Sequence, residues 1–279
     1  MKSSRNTWTS GERCTTPLRK PGEKEFSKRK SPLFQTSLLL PQESINSLTG
    51  LRRKLKVLTF YNEGLSGLVT QPQSERKSDV LPEIKLGTPD ALDWRTNNIL
   101  TPVRDQGDCG VCWAFTSVGM VEAFLVQNGL QTLNIDLAEQ YLAECTAGSS
   151  CDGGFIESGL DKINKKCPEE SQFEYTAPTL YGGDICTATG IDTAFKRSSY
   201  YSISDAEMIN LLQSGPVAVG VASTGWSDYV SGTITCSDSD QVDHAVIVVG
   251  YTADAYIIRN SWADTWGEDG YAYVSRTAS

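Results

Sequence analysis

The chain of 279 residues has a single histidine, His244. Any chemistry that needs an imidazole near neutral pH therefore has one candidate. Long apolar runs are missing too. The best one near the N-terminus is Ser37-Leu38-Leu39-Leu40, closed by Pro41. A membrane span needs roughly 18 consecutive apolar residues, and a secretory signal core about 7 to 15. No membrane association is expected, and no signal peptide is legible. There is no internal repeat, which excludes solenoids and propellers. A second C-x-x-C is also absent, so Cys109, Cys112 and His244 lack the paired spacing of a structural zinc site. No metal and no cofactor are expected.

What is present suits a folded domain: 39% hydrophobic and 9% aromatic residues are enough for a packed core. Eight cysteines, seven of them from Cys109 to Cys236, are more than a reducing compartment usually allows. A lysosomal, vacuolar or extracellular setting is the expectation. The net charge of −9 is uneven: residues 1–86 carry 16 Lys and Arg against 8 Asp and Glu, which leaves 9 against 26 beyond them. A basic leader thus precedes an acidic body. Phosphate would be repelled by that body, so a nucleic-acid partner is not expected. The leader is expected to dock on its own domain instead.

The organisation follows this split. Residues 1–86 are rich in Lys, Arg, Ser, Gln and Pro and read as a poorly ordered prosegment, with helical turns expected only between Leu48 and Leu68. The folded domain, 87–279, begins at Gly87-Thr88-Pro89, and five of the six tryptophans follow. From Asp108 to Leu125 a Gly-rich turn is predicted to lead into a helix with Cys112 near its N-terminus, and further helices are predicted from about Asp136 to Cys145 and Phe155 to Lys165. β-Branched runs at Val217–Val221, Ala245–Val249 and Ala255–Ile258 predict strands. Helices first and strands later predict an α+β body of a helical lobe and a sheet lobe, with the site in the cleft between them.

One constellation carries chemistry. Cys112 follows the turn Gly107-Asp108-Cys109-Gly110 and opens a predicted helix. Unpaired helix N-terminal amides favour an anion, and a thiol reacts as its thiolate. Gln106 offers a side-chain amide that, with the Cys112 backbone N–H, would form an oxyanion hole. The run Gln106-Gly107-Asp108-Cys109-Gly110-Val111-Cys112-Trp113-Ala114-Phe115 resembles the active-site segment of papain-like cysteine proteases. In that family the partners lie about 130 to 150 residues downstream, and His244 and Asn260 follow Cys112 by 132 and 148. Leu92-Asp93-Trp94-Arg95, Cys151-Asp152-Gly153-Gly154, Gly215-Pro216-Val217, Val242-Asp243-His244-Ala245 and Asn260-Ser261-Trp262 resemble further family blocks in the same order.

The resemblance implies a papain-like two-lobe fold, a helical lobe plus an antiparallel sheet or barrel lobe. It implies an endopeptidase in which Cys112 attacks, His244 exchanges the proton, Asn260 orients the imidazole and Trp262 shields their hydrogen bond. Gly153 and Gly154 would run beside an extended substrate. Phe155, Ile156, Gly220, Val242 and Ala245, next to Asp243, would line a pocket for an apolar P2 side chain. Bridges Cys109–Cys151 and Cys145–Cys186 are implied, leaving Cys14, Cys167 and Cys236 without an assigned partner. Peptides and proteins are the implied substrates, with the leader as an inhibitor and the protein as a monomer.

Three departures stand out. Val111 replaces a small polar residue, relatives carry one more strand than the sequence up to Ser279 provides, and the leader lacks the usual inhibitory helix pattern. Two other readings were weighed: an inactive binding protein that keeps the fold, and a thiol oxidoreductase using Cys109-Gly110-Val111-Cys112. The redox reading wants a strand before the motif in a βαβ unit, and none is predicted.

Overall fold

In this computed structural model, residues 56–60, 87–147, 150–176, 184–187, 189–201, 203–235 and 242–277 are described. Cys14 and Cys236 lie outside them.

Helix α1, Cys112–Gln127, is buried along Trp113 to Leu125, which a helix apolar on most faces requires. It packs against α2 (Glu139–Cys145) and α3 (Ile156–Ile163) on one side and the sheet on the other. Gly119 permits the sheet contact, because a Cβ there would sit 2.9 Å from Ile247 Cδ1.

Two helices are shorter than predicted, for identifiable reasons. Before α2, Leu137 donates its N–H to Glu122 Oε1 at 2.8 Å and Ala138 donates to Pro168 O at 3.0 Å, so this stretch serves the core rather than a first helical turn. Beyond α3, Lys165 takes φ 125° and its carbonyl accepts from Thr193 N–H at 3.0 Å. That contact leads into a two-stranded ribbon of β3, Lys166–Cys167, and β4, Ile191–Asp192.

The second lobe is an eight-stranded sheet. In chain order its strands are β1 (Lys56–Phe60), β2 (Leu92–Asp93), β5 (Arg197–Tyr201), β6 (Val217–Val221), β7 (Thr233–Ile234), β8 (His244–Tyr251), β9 (Ala255–Arg259) and β10 (Tyr271–Ser275). Their lateral order is β5-β1-β6-β8-β9-β10-β7, with β2 also on β8. Among the described residues only β10 and β7 pair in parallel; the other pairs of this sheet are antiparallel. Strand β8 is buried over all eight residues, so its sequence reads as a continuous apolar run rather than an alternation. Helix α4, Asp205–Leu212, covers this lobe and is capped by Ser204 and Glu207.

The α+β, two-lobe expectation holds. Helical turns were expected between Leu48 and Leu68; within that stretch Lys56–Phe60 is a strand, and the rest lies outside the described residues. Lys-Val-Leu-Thr-Phe has two β-branched residues and an aromatic, and it meets two strand partners rather than a helical groove.

Both implied disulfides are formed, Cys109–Cys151 and Cys145–Cys186. The first takes Cys109 out of any C-x-x-C redox pair and leaves Cys112 free. The second closes a span of 41 residues. Its removal in Cys145→Ala/Cys186→Ala is expected to cost about 2–4 kcal/mol in urea unfolding. An unchanged midpoint would contradict a stapling role. Cys167 is free and buried, and its thiol is pushed well up by burial and then by the nearby charges of Glu139 and Glu122, which makes it unreactive.

Candidate active site

The turn before α1 is built around one backbone hydrogen bond, from Gly110 N–H to Cys151 O at 2.8 Å, beside the Cys109–Cys151 bridge. Val111 then stands at the N-cap and is fully buried, with no side-chain acceptor for the first-turn amides. Those amides serve Cys112 instead. The backbone N–H groups of Ala245, Trp113 and Cys112 itself act on its sulfur and favour the thiolate. Ala245 follows His244 on β8, so this contact brings the helix start to the strand that carries the histidine.

Burial is the largest influence on the Cys112 thiol and raises its pKa; the three N–H donors pull the other way. Burial likewise lowers the pKa of His244, opposed by the Asn260 hydrogen bond and by Asp243. Each isolated charge is therefore disfavoured. The N–H donors favour a thiolate and Asp243 favours an imidazolium, while the Asp243 charge also raises the Cys112 thiol.

The geometry fixes the histidine tautomer. Asn260 Oδ1 accepts from Ser261 N–H at 2.8 Å and lies 2.8 Å from His244 Nε2. An oxygen already facing one donor requires the imidazole to donate as well, so Nε2 carries the hydrogen and Nδ1 keeps its lone pair. The Trp262 ring lies 4.8 Å from the imidazole, centroid to centroid, at 31°. His244 and Asn260 are both buried.

Gln106 is buried and held on three sides. Its N–H donates to Ser261 O at 2.9 Å, its Oε1 accepts from Ser261 Oγ at 2.6 Å, and its Nε2 donates to Cys109 O at 3.0 Å. One Nε2 hydrogen remains for another acceptor. Tyr175 adds a 2.7 Å bond to the Gln106 carbonyl. Ser261 thus ties Gln106 to Asn260. Sequence reasoning quoted Ser261 without giving it a role and missed Tyr175; only the adjacency of Asn260-Ser261-Trp262 hinted at the first.

The expected substrate-binding residues fall on two flanks of Cys112. On one, Gly154 faces Trp113 so closely that a Cβ would lie 2.5 Å from its ring. The missing side chain is thus required by the packing of the protein's own Trp113. Gly153 has φ +126° and open space around its Cβ direction. Phe155 follows, 54% exposed, and Ile156 accepts Ser117 Oγ at its carbonyl. On the other flank Gly220 pairs with Ala245 across β6 and β8, and a Cβ on it would meet Val242 Cγ1 at 2.8 Å. Val242 is 57% exposed. Asp243 is engaged by Ser223 and Thr224.

A cavity of about 240 Å³ is lined by Arg104, Asp105, Phe115, Asp136, Glu139, Glu170 and Tyr175, with neither Cys112 nor His244 on its wall. Burial, then Glu122, Glu170 and Asp136, push the Glu139 carboxyl well above its ordinary value of 4.5. The fold therefore favours the protonated form. This stabilising contribution is complete below about pH 4.5 and is lost as pH rises through the higher folded value. His244 has the opposite sign, since a lowered folded pKa costs stability on acidification. Glu139→Gln is thus expected to remove a fall of Tm with rising pH above about pH 4.5, which makes the slope of Tm against pH more positive. An unchanged slope would contradict the assignment to Glu139.

A free cysteine at a helix start and a histidine hydrogen-bonded to an asparagine are the residue types that a thiol-nucleophile site of the hydrolase kind uses. The description "papain family cysteine protease" matches residues 88–279, and the chain belongs to that family. Among similar proteins, a viral cathepsin of Spodoptera exigua nuclear polyhedrosis virus is 34% identical over 201 residues, covering 67% of this chain and 57% of that protein. Digestive cysteine proteinase 1 of Homarus americanus is 33% identical, covering 66% and 61%. The chain therefore spans less than two thirds of these relatives' length. Among solved structures, a Carica candamarcensis cysteine protease matches at 31% identity and a TM-score of 0.57, over 68% of this chain and 90% of that one. Digestive procathepsin L 3 of Tenebrio molitor larval midgut matches at 29% identity and a TM-score of 0.59, over 74% and 69%.

Proposed function

We propose that the chain is a cysteine endopeptidase with an apolar P2 preference. The observation that carries this reading is the free Cys112 at the start of α1, influenced by the N–H of Ala245, the residue that follows a His244 whose Nε2 faces Asn260. His244 Nδ1 takes the thiol proton as sulfur bonds to the peptide carbonyl carbon. The carbonyl oxygen becomes an oxyanion between the Cys112 N–H and the remaining Gln106 Nε2 hydrogen. Collapse expels the amine, which receives the proton from His244 and leaves a thioester. Water, deprotonated by the same imidazole, then hydrolyses the thioester and restores the thiol.

Gly153 and Gly154 offer backbone to an extended substrate, and Phe155, Ile156, Gly220, Val242 and Ala245 give the flanks an apolar character. Fluorogenic dipeptides that differ only at P2 test this on the full chain: Leu or Phe should be cleaved at least about tenfold better than Arg. Equal rates would remove the specificity claim. Gln106→Ala is expected to lower kcat by about 10²–10³ with a smaller effect on KM. A change confined to KM would contradict the oxyanion role.

The basic leader is proposed to dock on the acidic body and restrain activity, in a monomer working in a lysosomal, vacuolar or extracellular setting. Two disulfides support the compartment. Turnover by the full chain should then rise with ionic strength as the attraction is screened. Turnover independent of salt would contradict this restraint.

A further inference from the structure

Strand β1 belongs to the leader, yet it is an interior strand of the sheet. All five of its residues pair with β5, from Lys56↔Tyr201 to Phe60↔Arg197, and Val57 and Leu58 pair with Val219 and Ala218 of β6. No direct pairing of β5 with β6 occurs in the sheet order; β1 stands between them. Along an antiparallel strand successive residues turn their N–H and C=O groups to opposite sides. Of Ala218 and Val219, one therefore serves β8 and the other β1. Both are buried, at 0% and 1% exposure. Taking β1 away would leave unpaired backbone groups on the facing sides of β5 and β6, one strand in from the end of the sheet, those of β6 next to the core. A segment that merely covers a catalytic cleft can leave without such damage.

We propose that β5 and β6 form a strand-accepting slot, distinct from the catalytic cleft, and that Lys56–Phe60 is its permanent occupant. The leader's central part is then a structural strand of the enzyme, retained without a covalent link when the chain is cut C-terminal to Phe60. A cut of that kind gives a two-chain protein rather than a free leader. Through β6 the slot also borders the strand that carries His244, because Val221 pairs with His244 at the far end of the same β6–β8 ladder. The occupant is recognised mainly by its backbone, as an extended segment with donors and acceptors on both edges.

The experiment uses the full chain with Cys112→Ala to stop self-digestion, so its outcome does not depend on the catalytic reading. A site-specific protease recognition sequence is inserted between Ser74 and Glu75, and the cut protein is run on a sizing column under native conditions. The leader fragment is expected to co-elute with the body and to separate only in denaturant. In the uncut chain Leu58→Pro removes a ladder N–H from an interior strand. It is expected to lower Tm by at least about 5 °C and, after cutting, to release the leader. Release of the unsubstituted leader on native cutting would overturn the proposal. So would a Leu58→Pro chain with unchanged Tm and an undiminished hold on its leader.

Discussion

His244→Ala is expected to lower kcat/KM for a peptide substrate by at least about 10³-fold while leaving the fold intact. The size of the effect follows from there being no substitute. The chain has one histidine, and the cavity carboxylates lie on a wall that does not include Cys112. Without the imidazole the thiol keeps its proton, since burial raises its pKa, and the leaving amine has no acid to receive it from. The ring is more than a proton carrier. Asn260 holds Nε2 and Trp262 lies over the ring, so Nδ1 is presented in one orientation. Steady-state kinetics and circular dichroism on the same preparation check this. A tenfold loss only, in a folded variant, would mean that another base serves Cys112.

Gly110→Ala is expected to cost about 3 kcal/mol or more in stability and to abolish most activity with it. A Cβ at this position would stand 2.3 Å from the Cys151 carbonyl oxygen and 3.3 Å from its carbon. Neither is the end of a flexible side chain. The carbonyl accepts the Gly110 N–H at 2.8 Å and belongs to a half-cystine bridged to Cys109, so it cannot withdraw without shifting the turn that begins α1. That shift would move the Cys112 N–H and the Cys109 carbonyl on which Gln106 Nε2 rests. Urea unfolding and kcat measured together test the coupling. A stable variant with full activity would show that the turn is not held by this contact. A stable variant with lost activity would place the effect in the oxyanion hole alone.

How much of this was legible beforehand differs from element to element. The strands Val217–Val221 and Ala255–Arg259 were readable because β-branched runs bounded by turn residues have few alternatives. Cys112 at a helix start was readable from the glycine-rich turn before it. The start of α2 was not, because Asp136–Ala138 is held extended by partners distant in sequence, Glu122 and Pro168. Lys56–Phe60 was missed because a five-residue β-prone stretch amid basic, polar sequence has no periodicity of its own. Its conformation comes from the two strands it joins. Ser261 and Tyr175 were missed for a similar reason: their contribution lies in contacts with Gln106, 155 and 69 residues away.

The central claim is that Cys112 is the nucleophile of a peptidase. The most direct test is hydrolysis of a fluorogenic dipeptide with an apolar P2 residue by the full chain at pH 5 to 7, beside the Cys112→Ala variant. The account predicts measurable turnover in the parent and none above background in the variant, with the same unfolding midpoint in both. Turnover that survives in the variant, or a folded parent that cleaves no peptide, would contradict it.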